Sequence, residues 1–248
     1  CLIAEELKNL LILKPDIETI YDPFCGTGTT SLVASTHSIK SFYSESNPFM
    51  QTVIETKING VQKLDAKTAS TKLIEYLSLI NERKIEEFTS WNGFEKFFGE
   101  QQLNELLTIK DLISQEGDES VKSILALALS SIVVKVSKMT RRGDLRYATE
   151  KEYREESVLE CFSDKLNEMI FDIQHYKTMV KCDTTKVSDD ARDNNYVDAF
   201  DCVITSPPYL NGTNYIRNTK LELKLNDFIV NESDLPNFHS KGIVAGIN

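Results

Sequence analysis

Two short segments combine residue types whose spacing suits ligand binding and group transfer. The first covers residues 22–30 (DPFCGTGTT) and follows a strand-like stretch at 17–21. Glycines placed after a strand let the backbone turn tightly and pass close to a ligand, where a Cβ would obstruct it. The segment lacks the Gly-Lys-Ser/Thr of a Walker loop and the third glycine of the dinucleotide fingerprint, so neither of those phosphate sites is indicated.

An acidic residue follows the next predicted strand. Glu45 comes directly after residues 41–44, which read as a strand. A carboxylate at the end of the second strand of such a unit can accept hydrogen bonds from both hydroxyls of a bound ribose. The alternative is an ordinary solvated loop acid, and the glycine turn upstream favours the ribose role.

The second segment covers residues 205–209 (TSPPY) and follows the apolar stretch 202–204. Two successive prolines fix φ and remove two backbone donors, while their carbonyl oxygens remain free to accept. With an aromatic ring directly after them, they offer a rigid acceptor and a stacking platform for a planar ring that carries an amino group. The alternative is a Pro-Pro turn with a packed tyrosine.

The elements that position these segments follow from the hydrophobic pattern. Strand signals at 17–21 and 41–44 alternate with helical signals, which is typical of a doubly wound α/β sheet. From 61 to 177 the pattern is mainly helical, and strand signals return at 178–182 and 200–205. We therefore expect a cofactor-binding half at 1–60, a helical insertion at 61–177 and a catalytic-loop half at 178–248. Helices are expected at 2–13, 29–37, 48–59, 101–114, 119–137 and 150–176.

Composition excludes several classes of protein. The 248 residues are 41% hydrophobic, which suits one globular unit with a substantial core. No stretch reaches the roughly 18 uncharged apolar residues of a membrane span. The five cysteines and three histidines are scattered and form no C-x-x-C pair, so neither a disulfide framework nor a metal site is indicated. A reducing cytoplasm is the expected location.

Charge raises an objection to a nucleic-acid substrate, because the net charge is -10. One local exception is a basic cluster that contains only one acid, Asp144, and comprises Lys135, Lys138, Arg141, Arg142 and Arg146. Arg141 and Arg142 are therefore our candidates for a DNA contact within the insertion. The alternatives are a solvated helix end, or a second subunit or further domain that supplies the positive charge.

Together the two segments resemble known motifs. DPFCGTGTT resembles motif I, and TSPPY the catalytic motif IV, of the amino-methyltransferases of DNA. The resemblance implies a Rossmann-like methyltransferase sheet and S-adenosylmethionine as cofactor. It places Asp22, Phe24, Gly26 and Gly28 beside the methionine part, Glu45 at the ribose and Asp183 at the adenine amino group. Ser206, Pro207, Pro208 and Tyr209 match the catalytic loop. Downstream, the Tyr-x-Arg-x-x-Lys-Leu stretch that contains Arg217 is similar to one in a subgroup of this family. Arg217 is expected to be a phosphate contact, a contact to the flipped nucleotide or a surface arginine.

The expected function is methyl transfer to the exocyclic amine of a base flipped out of double-stranded DNA. The Ser-Pro-Pro-Tyr spelling favours cytosine N4, with adenine N6 as the alternative. Methylation of RNA or of a glutamine amide, and a non-catalytic cofactor-binding subunit, are further alternatives. Attack on carbon 5 of cytosine is excluded because none of the internal cysteines follows a proline. Few strand signals follow Tyr209, so we expect either that the chain is a fragment or that a second polypeptide completes the sheet.

Overall fold

The computed structural model describes residues 2–193, 195–207 and 215–239. The chain divides into two compact units. The bounds of the first are Cys1–Lys63, Tyr176–Gly212 and Phe238–Asn248, and those of the second are Leu64–His175 and Thr213–Asn237.

The first unit is built on a parallel sheet of four strands. These strands are β1 (Thr19–Asp22), β2 (Lys40–Ser44), β5 (Thr184–Ser188) and β6 (Cys202–Val203). Their order across the sheet is β5-β2-β1-β6, and every adjacent pair is parallel. Chain order steps outward from β1 to β2 and β5, then returns to the other side of β1, which is the arrangement of a doubly wound sheet. The predicted fold class is confirmed.

Helices cover one face of this sheet. They are α1 (Leu2–Leu13), α2 (Thr29–Thr36), α3 (Pro48–Glu55) and a π-helix (Thr56–Gly60). The short helix α4 (Val61–Lys63) follows the π-helix. Ile20 of β1 packs with Leu7 and Ala34, and Tyr43 of β2 packs with Ile54 and Ile58. On the opposite face, the Phe200 ring lies 5.0 Å from Tyr21 and 4.9 Å from Phe42.

Side-chain bonds fix the pairing of β1 with β6. Asp201, directly before β6, accepts hydrogen bonds on Oδ2 from the backbone N–H groups of Glu18 and Thr19, at 3.0 and 2.8 Å. These bonds lower the pKa of the Asp201 carboxyl, the largest effect coming from Glu18. The register of β6 against β1 is therefore set by one carboxylate at the amino ends of the two strands.

The strand predicted at 178–182 is wrong, because the strand lies at Thr184–Ser188. Residues Lys177–Met179 form a 3₁₀ turn instead. The Ser35 hydroxyl of α2 accepts from the backbone N–H groups of Lys181 and Cys182 and donates to the Cys182 carbonyl, at 2.6–3.0 Å. One side chain thus takes the backbone hydrogen bonds that a neighbouring strand would otherwise satisfy.

The second unit is mainly helical. Its longer helices are α5 (Ala66–Glu82), α6 (Glu100–Ser114), α7 (Glu119–Ile132) and α8 (Val158–Tyr176). Short helices follow at α9 (Tyr215–Asn218) and α10 (Lys220–Leu225), and α11 (Pro236–His239) spans the boundary with the first unit. Among the helices in the described parts of the chain, none combines the length and apolar character needed to cross a bilayer.

Two features of this unit differ from the expectations. An antiparallel hairpin, β3 (Met139–Arg142) with β4 (Asp144–Tyr147), interrupts the helices. Gly143 at its tip has a φ of 83°, which a hairpin turn favours. Residues Thr213–Asn237 group with the helical unit, whereas the sequence assigned them to the α/β domain. The reason is burial: Leu221, Leu223 and Leu225 of α10 are core residues.

Candidate functional site

The two motif segments follow adjacent strands. In a doubly wound sheet, ligands bind outside the carboxyl ends of the strands, at the point where the strand order reverses. That point lies here between β1 and β6. The glycine turn (residues 22–28) follows β1, and residues 205–207 follow β6.

Asp22 connects these two segments. Its side chain is buried, and its Oδ1 accepts from the backbone N–H of Phe24 at 3.1 Å and from the Thr205 hydroxyl at 2.7 Å. Ser206 and Pro207 come next and are exposed. Pro208 and Tyr209, the other predicted catalytic residues, lie outside the described residues. The structure thus brings the start of the glycine turn beside the segment that leads into Ser206.

The two glycines of the turn face different surroundings. Both lie in the left-handed region, Gly26 with a φ of 55° and Gly28 with a φ of 80°. A Cβ added at Gly28 would lie 3.0 Å from Cγ1 of Ile54, whereas one added at Gly26 would meet nothing within 4 Å. Gly28 is therefore required by packing within the protein. Gly26 borders open space, where a ligand can approach the backbone closely.

Glu45 is held against the glycine turn. Its Oε2 accepts from the backbone N–H of Gly26 and its Oε1 from that of Asn47, each at 2.8 Å. Burial raises the pKa of Glu45, and the negative charge of Asp22 adds to this, while the backbone N–H groups of Asn47, Gly26 and Ser46 oppose it. A carboxylate has about four lone-pair sites, so acceptor capacity remains for a hydroxyl donor.

Asp183 lies at the amino ends of the strands, opposite the ends that carry the glycine turn. It precedes β5 and is exposed, so it stands at the amino end of that strand rather than the carboxyl end. Asp189 and Asp190 follow β5 instead. The backbone N–H of Glu45 contacts the Ser188 carbonyl at 3.4 Å, which places Asp189 next to the Glu45 segment in space. Asp189 Oδ1 accepts from Gln51 Nε2 at 3.0 Å. Sequence reasoning missed Asp189 because it placed the strand six residues too early.

Arg141, the first predicted DNA contact, is engaged in the fold of the helical unit. Its guanidinium donates to the Asn218 carbonyl and to Glu222 Oε1, both at 2.7 Å. Glu222 is buried, which raises the pKa of its carboxyl, while Arg141 opposes that shift. Asn218 also binds the hairpin, since its amide donates to the Gly143 carbonyl at 2.9 Å and accepts from the Leu145 N–H at 2.7 Å.

Three other basic residues of the cluster, Arg146, Arg142 and Lys135, also have acidic partners. Arg146 forms a bidentate pair with Glu152 at 2.8 and 2.9 Å. The Arg142 side chain is 72% exposed and lies 3.4 Å from the same carboxylate, and Lys135 lies 3.9 Å from Glu156. Counting charges within 135–146 missed these acids because they come from later segments. The third candidate, Arg217, is exposed on α9.

Comparison with known proteins gives two kinds of match. A family model described as RNA cap guanine-N2 methyltransferase matches residues 134–234. The Type II methyltransferase M.MvaI of Kocuria varians is 26% identical over 220 residues, covering 79% of this chain and 47% of its own length. The Type II methyltransferase M.BsoBI of Geobacillus stearothermophilus is 29% identical over 265 residues, covering 89% and 50%.

No solved structure matches the chain significantly. The chain spans about half the length of the curated relatives that it matches. Both relatives and the family model are methyltransferases. The resemblance to methyltransferases that the sequence indicated is therefore confirmed.

Proposed function

We propose that the chain forms the cofactor-binding and catalytic part of an S-adenosylmethionine-dependent DNA methyltransferase acting on an exocyclic amine, with cytosine N4 favoured over adenine N6. The observation that carries this is the hydrogen bond from the Thr205 hydroxyl to Asp22, at 2.7 Å. It joins the glycine turn to the segment that leads into Ser206 and Pro207. A methyl donor at the turn and an amine at the loop would then be neighbours.

The residues at the carboxyl edge fit such a cofactor. The open space at Gly26 suits the methionine part, bordered also by Asp22, Phe24 and Gly28. Glu45 is fixed by two N–H groups and keeps acceptor positions for the ribose hydroxyls. For the adenine amino group we now propose Asp189, which follows β5, in place of Asp183. The cofactor supplies a methyl group activated by a positively charged sulfur.

Catalysis in this proposal is positioning. The lone pair of an exocyclic amine is delocalised into the ring, so the protein must hold the nitrogen in a reactive geometry. Ser206 and the Pro207 carbonyl would accept its two N–H bonds, and Tyr209 would stack on the flipped base. Pro208 would keep the loop rigid. Transfer is direct, and no covalent intermediate with the protein is required.

The DNA would be held partly by the helical unit. Arg142 is the best candidate of the basic cluster, because it is largely exposed and its ion pair is loose. Arg141 is a weaker candidate, since it is bonded to Asn218 and Glu222. Arg217 remains a candidate for a phosphate contact. With a net charge of -10, further positive charge is proposed to come from a second subunit or another part of a longer protein.

A second candidate is methylation of the guanine N2 amine in RNA. The matched family model carries this description, and the part of this chain that it matches, residues 134–234, includes Ser206 and Pro207. Guanine N2 is also an exocyclic amine, so the same acceptor geometry would serve. The two candidates therefore share their chemistry and differ in the polynucleotide.

The test is methyl transfer from labelled S-adenosylmethionine to duplex DNA and, separately, to capped RNA, with the product nucleosides resolved. We expect N4-methylcytosine from DNA, and loss of product in Tyr209→Ala but not in Tyr176→Ala, an exposed tyrosine outside the motif. N6-methyladenine would correct the base, and product in RNA alone would favour the second candidate. Cofactor binding without any transfer would indicate a non-catalytic subunit.

A further inference from the structure

A change of helix type occurs beside the glycine turn. After α3, residues Thr56–Gly60 continue as a π-helix before α4 begins. Such a turn inserts one extra residue into an α-helix, weakens its hydrogen bonding and is frequent at functional sites. Two side chains of this π-helix, Lys57 and Asn59, reach different parts of the α/β unit.

Lys57 contacts the glycine turn itself. Its Nζ donates to the carbonyl of Thr27 at 2.8 Å, and Thr27 stands between the two left-handed glycines. Burial lowers the pKa of the Lys57 amine, so holding its charge here has a cost. Glu45 accepts from the N–H of Gly26 in the same turn. The turn is therefore fixed by a carboxylate at the Gly26 N–H and by an ammonium at the Thr27 carbonyl.

Asn59 contacts β5. Its Nδ2 donates to the Thr184 carbonyl and its Oδ1 accepts from the Thr184 N–H, both at 2.9 Å. The same Nδ2 lies 2.6 Å from Glu55 Oε2, and the other oxygen of Glu55 accepts from the Tyr43 hydroxyl at 2.8 Å. A side-chain amide thus completes the backbone pairing of the first residue of β5 and is itself held to β2.

We propose that the π-helix is a spacer that sets the glycine turn relative to β5, with Lys57 as the positioning residue for the turn and Asn59 for the strand. Successive residues of an α-helix are rotated by about 100°, so removing the extra residue would turn at least one of these side chains away from its target. The inference rests on the proposed function, in which the turn holds the methionine part of the cofactor and β5 leads to the adenine site.

The test compares two ligands by calorimetry, S-adenosylhomocysteine and adenosine, which lacks the amino-acid part. In Lys57→Met we expect about a tenfold weaker affinity for S-adenosylhomocysteine, because the turn loses its carbonyl contact. Adenosine affinity should stay within about twofold of wild type. Lys63→Met, an exposed lysine of α4, is the matched control and should change neither affinity.

Two further variants sharpen the test. Lys57→Arg keeps a cationic donor and should recover most of the lost affinity, whereas a general loss of structure would not be recovered selectively. Asn59→Asp keeps the acceptor for the Thr184 N–H but loses the donor, so both ligands should bind more weakly. If Lys57→Met does not fold, Lys57→Gln, with a shorter donor, gives the same comparison.

Equal loss of both ligands in Lys57→Met, or no loss of S-adenosylhomocysteine, would overturn the spacer proposal while leaving the proposed function standing. If the wild-type chain bound neither ligand, the proposed function would fail instead, and the spacer proposal with it. The two failures are thus separated by the wild-type measurement alone.

Discussion

The glycine turn (residues 22–28) and the basic cluster around Arg141 were both singled out by residue type and spacing, but the structure treats them differently. The turn keeps the geometry that its sequence indicates, with both glycines in the left-handed region. The basic cluster does not present a row of unpaired charges, since Glu152, Glu156 and Glu222 lie against four of its members.

The difference lies in where the deciding information sits. A glycine is required by the φ of its own residue, so the local sequence carries the signal. Whether an arginine is available to a ligand depends on which acids approach it in space, and those acids can come from any part of the chain. The partner of Arg141 is Glu222, on a helix far along the sequence. Charge clusters therefore need structural evidence before they are assigned to a ligand.

The largest expected effect is that of Gly28→Ala. We expect a loss of about 2–3 kcal/mol in the free energy of unfolding, because the left-handed conformation costs a side chain about 1–2 kcal/mol and the new Cβ would crowd Ile54. Gly26→Ala is the matched variant. It should lose only about 1 kcal/mol, since its Cβ meets no protein atom, but should weaken cofactor binding. Urea unfolding and calorimetry measure the two quantities.

The opposite ranking of the two alanine variants in stability would show that the contact with Ile54 is not what restricts residue 28. Unchanged cofactor affinity in Gly26→Ala would show that the open space at this residue is not the ligand's position.

Arg141→Gln tests the other region. This variant leaves the buried carboxyl of Glu222 without its cation. We therefore expect the free energy of unfolding to fall by about 2 kcal/mol near pH 8. The loss is smaller than for a fully buried pair because Arg141 is partly exposed. Removal of the arginine raises the Glu222 pKa further above its ordinary value of 4.5. The native state then holds a proton that the unfolded state releases, so stability falls as pH rises through this window.

The stability difference between Arg141→Gln and wild type should therefore narrow as pH is lowered toward 5. The double variant Arg141→Gln with Glu222→Gln, which removes the buried charge, should recover part of the loss and lose the extra pH dependence. A difference that stayed constant with pH would mean that Glu222 is not the group responsible.

The smallest effect is expected for Arg142→Gln. Its ion pair with Glu152 is long and exposed, so stability should change by no more than about 0.5 kcal/mol. If the proposed DNA contact is correct, DNA affinity should fall severalfold at low salt. The slope of log affinity against log salt concentration should also decrease in magnitude by about one. Equal DNA binding by variant and wild type across a salt titration would remove Arg142 from the interface.

Much of the first unit could be predicted because its signals are local. The structure has α1, α2, β2 and the start of α3 within a residue or two of the predicted positions. The strand at 178–182 was misplaced because one serine on a distant helix satisfies that backbone. The hairpin was missed because it is short and lies within a long helical pattern, although Arg142-Gly143-Asp144 is a turn signal.

Of the residues predicted for the site, the structure brings Asp22, Gly26, Gly28 and Glu45 to one edge of the sheet. The sequence did not indicate the contact of Lys57 with the turn, because lysines on a helix are ordinarily solvated and this one is directed to Thr27 from a π-helix. The sequence placed the adenine contact at Asp183 and missed Asp189, because that assignment depended on a strand boundary.

The carboxylate of Asp201 also has a consequence for the order of folding. It bonds to Glu18 and Thr19, which lie 183 and 182 residues away along the chain. The larger part of the helical unit, Leu64–His175, is encoded between β1 and β6. Contacts of such high sequence separation form late, because the closure of a long loop must be offset before the contact contributes. We expect the helical unit to fold early, from local contacts, and β1 to acquire its second neighbour near the end of folding. The pairing of β1 with β6, whose carboxyl ends lead into the two motif segments, would then be among the last parts of the protein to form.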